Sequence, residues 1–174
     1  MESKFLAIKK EYENFDRSLL RQGKLPMWDT GAGFYSSVVL TEVFGLFKKI
    51  NLQNYNNFLD LGSGDGRVVL TASLFTKATG IEIDPRLVDS ALQIKRKLGL
   101  NAGFIQTNFY DYKISGHDIV FVNPDEPMHR GLEKKFLNEL KGKLIVYGPH
   151  FHPTLLRKHN DFYINGNYSA VYSL

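Results

Sequence analysis

In Asp60-Leu61-Gly62-Ser63-Gly64-Asp65-Gly66, three alternating glycines lie among two acidic residues. Glycine lacks a Cβ, so such a loop turns tightly and lets a ligand approach the main chain. The apolar pair Phe58-Leu59 leads into it, and a helical pattern follows at Val68, Val69, Leu70, Ala72, Leu74 and Phe75. Strand, glycine loop and helix form the layout of a nucleotide-type cofactor site in an α/β sheet. The third glycine comes one place earlier than in a G-x-G-x-x-G dinucleotide loop. A pyrophosphate seeks backbone N–H groups with no carboxylate nearby, and Asp60 and Asp65 would repel it. They suit a cationic ligand carrying an ammonium and a sulfonium. Downstream, Glu82 falls near the C-terminal end of the strand expected over Ala78–Asp84, where open α/β sheets bind ligands. A carboxylate there can accept both hydroxyls of a ribose, for this cofactor or for a nicotinamide one.

The segment Asp60, Gly62, Gly64, Gly66 matches the D/E-x-G-x-G-x-G first motif of the class I S-adenosylmethionine (SAM)-dependent methyltransferases, and the chain resembles that family. The resemblance implies SAM as cofactor, held by Asp60, Gly62, Ser63, Gly64, Gly66, Glu82 and Ile83. It also implies that Asn108 bonds the adenine amino group while Phe109 covers the ring, with Asp111 as another possible acceptor. Upstream, Trp28-Asp29-Thr30-Gly31-Ala32-Gly33-Phe34-Tyr35 carries the single Trp of the chain. Such a loop can fold over a cofactor and exclude water, bringing Thr30 and Gly31 to the site. Equally, it can cap a helix while Trp28 fills the core.

The acceptor side centres on Asn123-Pro124-Asp125-Glu126. Asn123-Pro124 resembles the start of the D/N-P-P-Y/F motif of amino-methyltransferases acting on adenine, but Asp125 and Glu126 replace its Pro and aromatic. Two carboxylates repel a phosphodiester and attract an amine cation. Alternatively, one of them starts the next helix, where acids are favoured. Asp60 to Val69 looks like the small protein-lysine methyltransferases of archaea and mitochondria. That resemblance implies a macromolecular substrate, protein before RNA, with Asn123, Asp125 and Glu126 as catalytic residues and Tyr147 or His150 aiding proton removal. The other readings are an RNA or DNA amino-methyltransferase and a non-catalytic SAM-binding subunit. His150 and His152, with His129, offer imidazoles, but spacing places no carboxylate beside them and no metal is expected.

These residues need elements to hold them. Steps of three and four at Phe5, Ile8, Tyr12, Phe15 and Leu19 predict a helix over 4–21. Gly23, Pro26, Gly31 and Gly33 deny both helix and strand to the stretch that follows. Ser36 or Ser37 should cap a helix running to about Ile50. After the second strand, Asp84-Pro85 starts a helix that Gly99 ends. Further strands are expected over 102–106, 118–122 and 143–147, and a helix from about Met128 to Leu140 with Leu132, Phe136, Leu137 and Leu140 inward. Asn165-Gly166 signals a terminal hairpin of strands 161–165 and 168–174. The expected fold is a doubly wound, mostly parallel seven-stranded sheet with a C-terminal antiparallel hairpin and an N-terminal helical extension. Residues 1–50 form the extension and cofactor-covering loop, 51–174 the SAM-binding core, in one structural domain. At 174 residues, with 43% hydrophobic content, net charge +4 and no Cys, the chain excludes a disulfide scaffold and a thiolate centre. No apolar run is long enough to span a bilayer, so a cytoplasmic protein with no membrane partner is expected.

Overall fold

The computed structural model describes all residues from Met1 to Leu174. Helix α1 (Glu2–Arg21) is followed by a small hairpin of β1 (Met27–Asp29) and β2 (Phe34–Ser36), then α2 (Leu40–Lys49). The main sheet is built from β3 (Asn57–Leu61), β4 (Lys77–Glu82), β5 (Gly103–Gln106), β6 (Ile119–Val122), β7 (Lys143–Tyr147), β8 (Arg157–Ile164) and β9 (Asn167–Ser173). Three more helices connect its strands: α3 (Arg67–Ala72), α4 (Pro85–Leu98) and α5 (Leu132–Glu139).

The strand order is β5-β4-β3-β6-β7-β9-β8. Strands β3 to β7 run parallel, and β9 lies antiparallel to both β7 and β8. The chain winds outward from β3 to β5, then returns to place β6 on the other side of β3. A crevice therefore opens between the C-terminal ends of β3 and β6, where α/β sheets bind ligands. In β6, Ile119-Val120-Phe121-Val122 is buried throughout, as a central parallel strand covered on both faces must be. One face is covered by α1 to α4 around Phe44, Phe47, Phe58 and Phe121; the other carries α5 with Leu132, Phe136 and Leu140 against Leu59, Val120 and Leu144. No helix is long and apolar enough to cross a membrane.

Four local expectations differ from the structure. The stretch denied regular structure contains the β1–β2 hairpin, because the Thr30–Gly33 turn closes on itself through Thr30 N–H to Gly33 O at 2.9 Å. Ser36 is then a strand residue paired with Met27, so α2 begins only at Leu40, with Val39 rather than a serine before it. The helix expected from Met128 to Leu140 breaks at Gly131, whose φ of 148° is not helical, leaving a 3₁₀ turn (Met128–Arg130) ahead of α5. Leu137 consequently faces outward, 37% exposed. Finally, β8 begins at Arg157, four residues earlier than the periodicity suggests, through an irregular register near Lys158 and Asn160. The terminal turn itself follows its residue types: Asn165 and Gly166 have φ of 50° and 88°, a left-handed pair that asparagine and glycine tolerate.

Candidate active site

The glycine loop after β3 is stitched to the end of β4. Gly62 and Ser63 N–H both donate to Ile81 O at 2.9 Å, and Gly64 N–H donates to Glu82 Oε2 at 2.8 Å. Glu82 Oε1 accepts from Ile83 and Asp84 N–H at 2.8 and 2.9 Å. Gly66 N–H donates to Ser63 O, and Asp65 Oδ1 accepts from Arg67 N–H at the start of α3. These donors are satisfied within the chain, and a carboxylate already sits where a phosphate would approach the helix start. The loop is thus unsuited to a pyrophosphate by its bonding as well as its charge.

Each glycine of the loop has a left-handed φ, between 55° and 81°. Gly66 has a further role: a Cβ there would lie 2.6 Å from Ala91 Cβ and 2.7 Å from the Phe104 ring. It lets α3 pack against α4 and β5, and it lies outside the cavity that the other loop residues line. Gly80 on β4, which the sequence reading passed over, is equally constrained, with Ser63 Oγ 2.5 Å and Val69 2.8 Å from a would-be Cβ. An isolated glycine inside a strand signals such a close approach.

The cavity over this loop measures about 610 Å³. It brings together Thr30, Gly31, Asp60, Gly62, Ser63, Gly64, Glu82, Ile83, Asn108, Phe109, Asn123, Asp125 and Glu126. Its charged lining consists of six carboxylates (Asp29, Asp60, Asp65, Glu82, Asp125, Glu126) against one guanidinium, Arg67. That imbalance stands in a chain of net charge +4. Burial pushes the Asp60 carboxyl well above the usual carboxylate range, and the neighbouring charges of Glu82 and Asp65 push it further. A cation is what such a site lacks. Asp65 needs none: Arg67 Nε and Nη2 bond its carboxylate at 2.7–3.1 Å, and Tyr35 donates its hydroxyl at 2.9 Å. Asp65, expected from the sequence to face a cationic ligand, is therefore already neutralised within the chain.

The β1–β2 hairpin roofs the cavity. The Tyr35 ring lies over Gly64, where a Cβ would come within 2.9 Å of it, and packs against Trp28 with centroids 4.5 Å apart. Trp28 Nε1 reaches Asp84 Oδ2 at 3.5 Å. Across the mouth, Phe34 N–H donates to Asp125 Oδ2 at 2.6 Å. Asp125 therefore ties the hairpin to the β6 exit loop. Glu126, exposed beside it, pairs with Arg130 at 3.3 Å. Asn108 Oδ1 accepts from Tyr110 N–H at 3.0 Å, shaping the turn that holds Phe109 at the cavity wall.

Tyr147 and His150, expected to aid proton removal, lie elsewhere, and so does His152. Tyr147 is buried outside the cavity and donates to Glu42; burial and that carboxylate push its phenol far up, so it stays protonated. His150 is exposed and does not line the cavity. His152 is held between Tyr172 Oη and Gly148 O, each at 2.8 Å. Conversely, the site-supporting residues Tyr12, Asp16, Tyr35 and Arg67 escaped the sequence reading. Only Arg67 had a signal there: a charged residue opening a helix that must be buried.

A sheet of this order, with an acid-ringed glycine loop at its switch point and a carboxylate at the end of the next strand, defines a class I SAM-dependent methyltransferase. Residues 30–129 match the family described as histone methylation protein DOT1. That is more than half of the chain, which therefore belongs to this methyltransferase family. A protein-lysine N-methyltransferase from Saccharolobus islandicus is 34% identical over 85 residues, 44% of this chain and 53% of that protein. The chain thus matches about half the length of this curated relative. An RNA methyltransferase from Salinibacter ruber, solved with S-adenosyl-L-homocysteine, superposes with a TM-score of 0.68 at 22% identity over 78% of this chain and 92% of the other. A SAM-dependent methyltransferase from Aquifex aeolicus does so with a TM-score of 0.58 at 16% identity, over 76% and 89%. These two likenesses speak for the fold. The cofactor is SAM, and the site suits it: the cationic ligand answers the excess of carboxylates around Asp60, and a Cβ at Gly62 would meet no protein atom within 4 Å.

Proposed function

We propose that the chain methylates lysine side chains of a protein. The observation that carries this reading is the acidic mouth: exposed Asp29, Asp125 and Glu126 line the same cavity as Asn123, and no unpaired cation does. An ammonium is drawn to that rim, whereas a phosphodiester is repelled. Exposed Phe34 and Tyr110 add apolar and π surface to the same mouth, suited to a lysine stem and its cationic head. The similarity to a protein-lysine methyltransferase and the DOT1 family match support the same acceptor class.

SAM supplies a methyl group activated on a positively charged sulfur. The chain's own part is positional. Asp60 and Glu82 would hold the cofactor's polar groups, Asn108 and Phe109 its adenine, and the hairpin would keep water out. Asn123, Asp125 and Glu126 guide the amine to the cavity floor with its lone pair inward. Holding the acceptor in line supplies most of the rate. The amine must arrive without its proton, which the exposed mouth can pass to water.

A second reading, transfer to a nucleic-acid base amine, rests on Asn123-Pro124 standing at the cavity mouth. One experiment separates the two. The protein is incubated with methyl-labelled SAM and an extract of cells lacking it, and portions are digested with protease or nuclease. Label released by protease, on lysine after hydrolysis, is expected. Label released only by nuclease would overturn the lysine reading in favour of the base.

A further inference from the structure

We propose that the N-terminal helix α1 is a working part of the cofactor site, with Tyr12 and Asp16 as positioning residues for the glycine loop. The two residues hold the same loop position from two directions. The Tyr12 hydroxyl, buried at 1% exposure, donates to the backbone carbonyl of Asp65 at 2.8 Å. Asp16, one turn further along α1, accepts from Arg67 Nη2 at 2.7 Å and Nη1 at 3.3 Å. Arg67 in turn clamps the Asp65 carboxylate, and its guanidinium lies 4.8 Å from the centre of the Tyr12 ring. Fifty-three residues of chain separate Tyr12 from Asp65, so nothing local dictates this arrangement.

The loop needs such support from outside. Gly62, Gly64 and Gly66 leave its backbone more conformational freedom than other residues would, and a cofactor that had to order the loop would bind correspondingly more weakly. Glu82 fixes the loop on the β4 side through Gly64 N–H. Tyr12 and the Asp16–Arg67 pair fix Asp65, the residue between Gly64 and Gly66, on the α1 side. Arg67 cannot do this alone. It is buried, and without Asp16 the Nη1 and Nη2 groups would each lose an acceptor, leaving the fork to Asp65 and, at 3.4 Å, Val38 O. It would turn in search of another acceptor and drag Asp65 with it. The inference rests on SAM as cofactor and is independent of which acceptor the enzyme uses.

Calorimetric titration with S-adenosyl-L-homocysteine tests it, on the full chain and well below the unfolding temperature. Asp16→Asn is expected to raise Kd about tenfold and Tyr12→Phe about threefold, the range for losing one charged or one neutral hydrogen bond. Asp16→Glu, which keeps the charge, should recover much of the affinity. In ¹⁵N spectra the amides of Gly64 and Gly66 should shift or broaden in Asp16→Asn while those of β6 stay in place. Ile8→Val on the same helix provides the control: it lowers the melting temperature and leaves Kd alone. Tyr12→Phe keeps the ring in the core, so the test remains decisive if Asp16→Asn does not fold. Unchanged Kd in both Asp16→Asn and Tyr12→Phe, or losses no greater than in Ile8→Val, would overturn the proposal.

Discussion

The two halves of the cavity are built differently. On the cofactor side, Asp60, Asp65, Arg67 and Glu82 are all at most 7% exposed; Glu82 is held by backbone amides, and Asp65 and Arg67 by each other, Tyr35 and α1. On the acceptor side, Asn123, Asp125 and Glu126 are exposed, and each carboxylate has one partner there: Phe34 N–H for Asp125 and Arg130 for Glu126. The contrast follows from what each half meets. The cofactor is one molecule of constant charge, so its groups can be buried and locked in advance. The proposed acceptor, a lysine of a protein, would arrive attached to a larger partner, so its groups stay at the surface, where charges interact weakly and rearrange cheaply. A locked half should respond to single changes with large losses, and an open half with modest ones.

Glu82→Ala gives the largest effect if the cofactor half is locked. It removes the acceptor of three N–H groups at Gly64, Ile83 and Asp84, and each one left buried costs ~1–3 kcal/mol. Cofactor binding should disappear from calorimetry and the melting temperature should fall sharply. Retained affinity within a factor of three would show that the Glu82 carboxylate is not what locks this half.

Next comes Gly80→Ala, whose methyl would press on Ser63 and Val69. A loss of about 1–3 kcal/mol in denaturant unfolding is expected, as for overpacking elsewhere. Cofactor affinity should fall with it, because Ser63 belongs to the loop.

Asp60 makes the cofactor half depend on pH. With its folded pKa above that of the unfolded chain, the carboxyl stabilises the ligand-free fold at low pH and withdraws that stability as pH rises through the raised value. The cation-binding form is the ionised one. SAM affinity should therefore rise with pH through the same window, with a proton released on binding. Titrations in buffers of different ionisation enthalpy read that proton, and Asp60→Asn should abolish both it and the pH dependence.

The acceptor half should yield smaller changes. Asp125→Ala releases the hairpin at Phe34 N–H. Hydrogen exchange at that amide should speed up, KM for the proposed protein acceptor should rise, and global stability should drop by only ~1 kcal/mol. Glu126→Gln breaks an exposed pair with Arg130 and should change stability by less than ~0.5 kcal/mol. Any loss of transfer beyond that would assign Glu126 to the acceptor. A collapse of SAM binding in either variant would erase the distinction between the halves.

The legible parts share one property: their signals are local. Alternating glycines between acids announce a loop, Asp84-Pro85 a helix start and Asn165-Gly166 a reverse turn, because each acts through the φ or the hydrogen bonds of a few neighbouring residues. Asp84 accepts from Arg86 N–H as an N-cap should, and Gly99 closes α4 with φ of 60°. Where the structure departs from these local signals, contacts from distant residues add to the local turn geometry. The hairpin at Met27–Ser36 is braced by Asp125 and Asp84, and the broken helix at Gly131 abuts Tyr110, none of them near in sequence. Tyr147 looked available because nothing beside it in the chain hints at Glu42, 105 residues away.

By itself, then, the sequence determined the succession of main-sheet strands and helices but not the β1–β2 hairpin, together with the cofactor loop and the acidity of both loops, since periodicity, glycine and charge act at short range. Only the tertiary structure decided which of those acids remain open. Asp65 is spent on Arg67, Asp125 gives one oxygen to the hairpin yet stays exposed at the cavity, and Asp60 stands without a cation. The reason is physical: what a charge does depends on how deeply it is buried and what lies within a few ångströms, and those neighbours are set by the fold rather than by the chain on either side.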